Sequence, residues 1–212
     1  MSAKVREPLI VINFSINGQK VQARPGWTIL ETARHHRIHI PTLCSHPAVR
    51  PWGSCRLCVV ETRYGKGANI LASCQNPPIH GLEVFTDSER VRNVRRWVLE
   101  MLLAATPASP EIRQLAAEHG VNASRFKVAD PQEDCLRCGL CVAVCNEVVG
   151  VQALTFGSRG VDKRLETPYR QPNNACIGCG CCVTVCPTQA LQHRLDTVRG
   201  DLSRRTGHGY AH

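Results

Sequence analysis

Residues 134–145, DCLRCGLCVAVC, recur as ACIGCGCCVTVC at 175–186, offset by 41 positions and identical at seven of twelve. Each copy places four cysteines in the spacing C-x2-C-x2-C-x3-C, and each is followed by Gln-Ala-Leu, at 152–154 and 189–191. The chain holds thirteen cysteines in 212 residues but only three Trp, three Tyr and four Phe. That is thin material for a large apolar core, so ligated metal would supply cross-links that the core lacks. The basic N-terminus carries an apolar run that alternates like a strand rather than a secretory leader. The longest apolar run, WVLEMLLAA at 97–105, is short and broken by Glu100, and no segment is long enough to span a bilayer. A cytoplasmic, reducing location is therefore expected. There, close-set cysteines read as metal ligands rather than disulfides. The odd count argues against full pairing as well.

The doubled run is the pattern of bacterial two-cluster ferredoxins, in which the fourth cysteine of each run serves the other cluster. Three cysteines at intervals of three on a turning backbone can wrap one face of a cubane. The fourth, expected at the start of a helix, points away from it. The expected ligands are Cys135, Cys138, Cys141 and Cys186 for one [4Fe–4S] cluster, and Cys145, Cys176, Cys179 and Cys182 for the other. Zinc is the alternative, but a zinc site needs four ligands in all, which two matching fourfold runs exceed. The first run is followed by Asn146 where proline is usual; this residue shapes the turn and is not a ligand. Alignment of the copies sets Cys181 on Leu140, so Cys181 is expected to be a buried packing residue between ligands.

A third set, Cys44, Cys55, Cys58 and Cys74, has the spacing C-x10-C-x2-C-x15-C. Plant-type [2Fe–2S] proteins keep the same central C-x2-C with a shorter first loop. Gly53 and Ser54 precede Cys55, where backbone amides can approach the sulfurs. A structural zinc is the alternative here. Around these cysteines the pattern is β-rich. Strands are expected at 8–16 and 19–23 across Asn17–Gly18, at 56–63 and 69–74 across YGKG, and at 82–85. A helix over 28–36 opens on the capping box Thr28/Glu31. Two hairpins and one helix suit a β-grasp domain, although another small α+β arrangement fits the same pattern.

The fold expected is α+β: a β-grasp [2Fe–2S] domain over 1–85, a helical linker over 86–120, a two-[4Fe–4S] module over 121–195 and a polar tail over 196–212. In the linker, a second capping box, Thr86/Glu89, should start a helix whose core face is Val91, Val94, Val98, Met101 and Leu102. TPASP breaks it, and Ser109–Pro110 starts a second helix that Gly120 ends. His119 reads as a surface residue. Residues 157–174 read as a long polar loop.

The formal charge is +9, but Lys and Arg are scattered and no nucleic-acid motif accompanies them. Thiolate ligands would lower the true charge. No G-x-G-x-x-G follows a strand, so there is no dinucleotide fingerprint. No catalytic residues are expected. The stretch IPTLCSHPAVRPWGSCRLCVVETRYGKGANILASC resembles the [2Fe–2S] domain of the large iron–sulfur subunit of bacterial complex I. It is similar too to the diaphorase small subunit of NAD-reducing hydrogenases and to the N-terminal region of NAD-dependent formate dehydrogenases. The resemblance covers nearly the whole chain in domain order. It implies an electron-transfer subunit with one [2Fe–2S] and two [4Fe–4S] clusters. Its partners would be an NAD(P)H-oxidising flavoprotein subunit and a catalytic subunit of hydrogenase or formate dehydrogenase type, with any membrane association made through those partners. In that family the linker carries His-x3-Cys-x2-Cys-x5-Cys for a further cluster. Here the matching stretch, LLAATPASPEIRQLAAEHG, has no cysteine, so that cluster is expected to be absent. The other readings are a free-standing polyferredoxin, which the basic charge disfavours, and a succinate dehydrogenase or fumarate reductase iron–sulfur subunit, which the ten-residue first gap disfavours.

Overall fold

The computed structural model describes residues 11–170 and 174–192. The first ten residues, the last residues of the expected two-cluster module and the expected tail at 196–212 lie outside them. The described residues fall into two compact units: one runs to Thr42 and resumes over Cys55–Val98, the other comprises Leu43–Ser54 and the chain from Leu99 onward.

The first unit is a five-stranded mixed sheet. Strands β1 (Ile12–Ile16) and β2 (Gln19–Ala23) form an antiparallel hairpin. Its turn places Asn17 and Gly18 at φ 51° and 80°, as a two-residue turn with both central residues left-handed requires. Alternation buries Phe14, Ile16, Val21 and Ala23 on one face, and helix α1 (Ile29–His35) covers that face with Ile29, Leu30 and Ala33. The Thr28/Glu31 capping box is present. Strands β3 (Val59–Tyr64) and β4 (Gly67–Ala72) form the second hairpin. The short β5 (Glu83–Phe85) lies between the hairpins, parallel to β1 and antiparallel to β3, giving the order β2-β1-β5-β3-β4. Each fully buried aliphatic side chain here contributes about 1.5–3 kcal/mol.

Helix α2 (Glu89–Ala105) follows. The expected Thr86/Glu89 box does not start it. Ser88 does, its hydroxyl accepting from the Val91 amide and donating to Glu61. Thr86 instead pairs with Asn17 through two hydrogen bonds. The buried side chains of α2 are Val91, Arg95, Val98 and Leu99, whereas Met101 is exposed and Val94 and Leu102 are half-buried. The buried face thus differs from the apolar stripe of the sequence, because it takes in an arginine.

In the second unit, Ser109 caps α3 (Pro110–Glu118), Gly120 adopts φ 74° at its end, and His119 is half-buried with Nδ1 against the Leu115 carbonyl. Helix α4 (Leu140–Glu147) and the single-turn α5 (Cys181–Thr184) carry the two repeats. The segment expected as a polar loop contains a strand: β7 (Arg164–Glu166) pairs antiparallel with β6 (Thr155–Gly157).

Candidate metal centres

The internal repeat is a repeat of backbone as well as of sequence. Arg137 and Gly178 occupy the same place in the two runs, with φ 54° and 69°; Gly139 and Gly180 follow at 88° and 74°; Gln152 and Gln189 of the two Gln-Ala-Leu segments stand at 51° and 53°. These left-handed residues turn the chain between cysteines, and Gly139 and Gly180 are the N-caps of the helices that follow. The helix starts one residue before the third cysteine, not at the fourth as expected. Cys141 and Cys145 are therefore four residues apart on α4, a separation of about 6 Å along its axis. One turn of helix carries the fourth cysteine away from the first three.

Cys135, Cys138, Cys141 and Cys186 line one cavity. Leu136, Phe156, Leu165, Pro187 and Leu191 form much of the rest of its wall. Cys186 thus leaves its own run and joins the first three cysteines of the other. In the other run the hydrogen bond to Cys179 raises Cys181 and burial raises Cys182, and the nearby Cys145 adds a smaller raising charge to each. Burial, and the neighbouring cysteines as like charges, push the Cys138 and Cys141 thiols up to about 12. A pocket that holds its sulfurs protonated when alone fits a group that brings positive iron to them, since metal-bound cysteine is thiolate. Backbone amides aim at two other cysteine sulfurs, Arg137 N–H at Cys135 Sγ (3.4 Å) and Ala153 N–H at Cys145 Sγ (3.2 Å). Thr188, 1% exposed, sets its hydroxyl 3.8 Å from Cys186 Sγ.

Cys176 and Cys179 are exposed, and Cys181 and Cys182 are half-buried. The Cys181 amide and then its thiol hydrogen bond to Cys179 and hold it below the usual thiol range; the same thiol–thiol bond raises Cys181. The expectation of a buried apolar spacer is corrected: Leu140 is buried at that place in the first copy, but Cys181 is half-exposed at the N-terminus of a single-turn helix and bonded to a neighbouring cysteine. Among the described residues, which include all thirteen cysteines, there is no disulfide. Nor, among them, do three His, Cys, Asp or Glu side chains converge on one point as a single ion requires. A cluster takes its cysteines on separate irons.

Of the third set, Cys55, Cys58 and Cys74 belong to the first unit and are 4%, 1% and 1% exposed. Arg56 at φ 59° turns the chain between Cys55 and Cys58, as Arg137 does in the first repeat. Ser73 ties the other two together: its amide and hydroxyl both donate to the Cys58 carbonyl, at 3.0 and 2.8 Å, one residue before Cys74. The carbonyls of Leu57 and Val59, either side of Cys58, accept from Arg95 Nε (3.2 Å) and Nη2 (2.8 Å). Cys44, 1% exposed, belongs to the second unit and is close enough to Cys138 to raise it. The long gap after Cys44 has a structural use. Its residues pack on the first repeat: Ser54 donates to the Cys138 carbonyl (2.9 Å), the Arg50 amide donates to Glu147 (2.9 Å), and the Trp52 ring lies over Gly139.

Sequence reasoning missed Trp52, Ser73 and Arg95, and named Ser54 for its backbone amide rather than for its hydroxyl. Only Arg95 had a signal: it interrupts the apolar stripe of α2 with a charge.

Residues 11–89 match the family described as "2Fe-2S iron-sulfur cluster binding domain", and residues 117–190 match the "4Fe-4S dicluster domain". The chain is 28% identical over 180 residues to the NADH-ubiquinone oxidoreductase 75 kDa subunit of Reclinomonas americana, covering 74% of this chain and 26% of that protein. It is 27% identical over 184 residues to the mitochondrial NADH-ubiquinone oxidoreductase 78 kDa subunit of Candida albicans, covering 75% and 25%. The chain thus spans about a quarter of the length of these curated relatives. A chain of the crystal structure of an NAD+-reducing [NiFe]-hydrogenase in the H2-reduced state aligns with a TM-score of 0.65 and 36% identity, over 74% of both chains. No helix among the described residues is long and apolar enough to cross a membrane. With an iron–sulfur domain of each type in the same order as the cysteine sets, the chain belongs to the family of iron–sulfur electron-transfer subunits related to the 75 kDa subunit of NADH-ubiquinone oxidoreductase and to a chain of NAD+-reducing [NiFe]-hydrogenase.

Proposed function

We propose that the chain conducts electrons through three centres between a flavoprotein subunit that oxidises NAD(P)H and a catalytic subunit of hydrogenase or formate dehydrogenase type. Cys44, Cys55, Cys58 and Cys74 hold a [2Fe–2S] cluster. Cys135, Cys138, Cys141 and Cys186 hold one [4Fe–4S] cluster, and Cys145, Cys176, Cys179 and Cys182 hold the other. The observation that carries this reading is the cavity lined by Cys186 together with the first three cysteines of the other repeat. When bound, the clusters take up and release single electrons; the protein's part is to hold them in sequence and set their potentials through burial and N–H···S bonds. The sheet order, with β1 and β5 parallel at its centre and α1 on one face, supports the β-grasp reading of the first domain. The cysteine-free linker supports the absence of a fourth cluster.

The test is purification under native conditions without oxygen. The chain is expected to leave the cells with a flavoprotein and a catalytic subunit, and NADH or NADPH is expected to reduce its clusters in that complex. A lone monomer whose clusters neither nucleotide reduces would instead establish a free-standing carrier.

A further inference from the structure

Arg95 is 5% exposed, and a buried charge is ordinarily paired or set against a metal centre. Among the described residues no carboxylate lies within ion-pair distance of it. Its guanidinium is held instead by the two carbonyls that flank Cys58, close enough for its charge to interact with the Cys58 sulfur. Burial lowers its pKa against the opposing pull of Asp87 and Cys58. We infer that Arg95 is a positioning residue and the built-in counter-charge of the [2Fe–2S] centre: it clamps the backbone either side of Cys58 and stabilises the reduced cluster, raising its potential. This rests on the proposed assignment of Cys58 as a ligand. Four thiolates leave a two-iron centre negative, and reduction adds one more negative charge. A fixed cation nearby favours that added charge, and in a buried site little solvent screens it. The two carbonyl bonds keep the guanidinium in place through its planar fork, and a lysine would keep the charge while losing the fork.

The experiment is an anaerobic potentiometric titration of the loaded full-length chain, reading the EPR signal of the reduced two-iron centre in the wild type, Arg95→Gln and Arg95→Lys. Glutamine can still donate to one carbonyl but carries no charge. For R95Q the ratio of reduced to oxidised cluster at a fixed potential is expected to fall about tenfold, a downward shift of about 59 mV for one electron. R95K should stay within about threefold of the wild type. A wild-type midpoint in R95Q, or an R95K displaced as far as R95Q, overturns the counter-charge role. Where R95Q does not take up the cluster, R95K decides on the same criterion; failure of both to load assigns Arg95 to folding alone and overturns the inference. A wild-type chain with no two-iron signal sinks the ligand assignment itself, an outcome read without any variant.

Discussion

Replacing Cys186 by serine is expected to abolish the cluster of the other repeat and spare the one it adjoins in sequence. Cys186 follows Cys182 by four residues, so a reading of each run as a closed unit puts it with Cys176, Cys179 and Cys182. The structure places it in the cavity of Cys135, Cys138 and Cys141. C186S should therefore share its phenotype with C141S and lose about four of about ten irons. C145S should share its phenotype with C182S. The two-iron signal should survive in all four. Iron analysis with EPR of the reduced proteins separates the cases. C186S grouping with C182S would refute the exchange of fourth cysteines.

The second large effect concerns a residue that ligates nothing. Gly139 stands at φ 88° directly before α4, and a Cβ built there overlaps the ring of Trp52. Trp52 would have to leave its edge-to-face contact with Phe156, whose ring centroid is 6.0 Å away. Gly180, its partner in the repeat, has φ 74° but open space where a Cβ would lie. Gly180→Ala should then cost only left-handed strain, about 1–2 kcal/mol. Gly139→Ala adds overpacking of about 1–3 kcal/mol, for about 2–5 kcal/mol together. G139A should also weaken retention of the first four-iron cluster, because Gly139 sits between Cys138 and Cys141. Urea unfolding midpoints of the loaded proteins compare the two; equal losses would mean that the Trp52 contact is immaterial.

What could be read in advance follows the range of each interaction. Both hairpins, the capping box of α1 and the cap of α3 are local, and residues two to four positions apart determine them. The cysteine spacing was legible for the same reason, since the pitch of the turning chain is written into intervals of three and four. What escaped were contacts made across the chain. The Thr86/Glu89 box fits the local rule, but Asn17, 69 residues away, takes Thr86, and Ser88 caps α2 instead. Arg95 escaped because periodicity counts apolar residues, and its burial depends on carbonyls 36 and 38 positions upstream. β7 consists of Arg-Leu-Glu, which reads as loop until β6 pairs with it. The ten residues between Cys44 and Cys55 read only as a departure from a spacing rule. In the structure they are the segment that packs on the first repeat.

The central claim is that twelve of the thirteen cysteines hold iron in one two-iron and two four-iron clusters. Metal and acid-labile sulfide analysis of the chain, purified without oxygen, tests it most directly. The account predicts about ten irons and about ten sulfides per chain, with no zinc. Zinc in place of iron, with no labile sulfide, would contradict it.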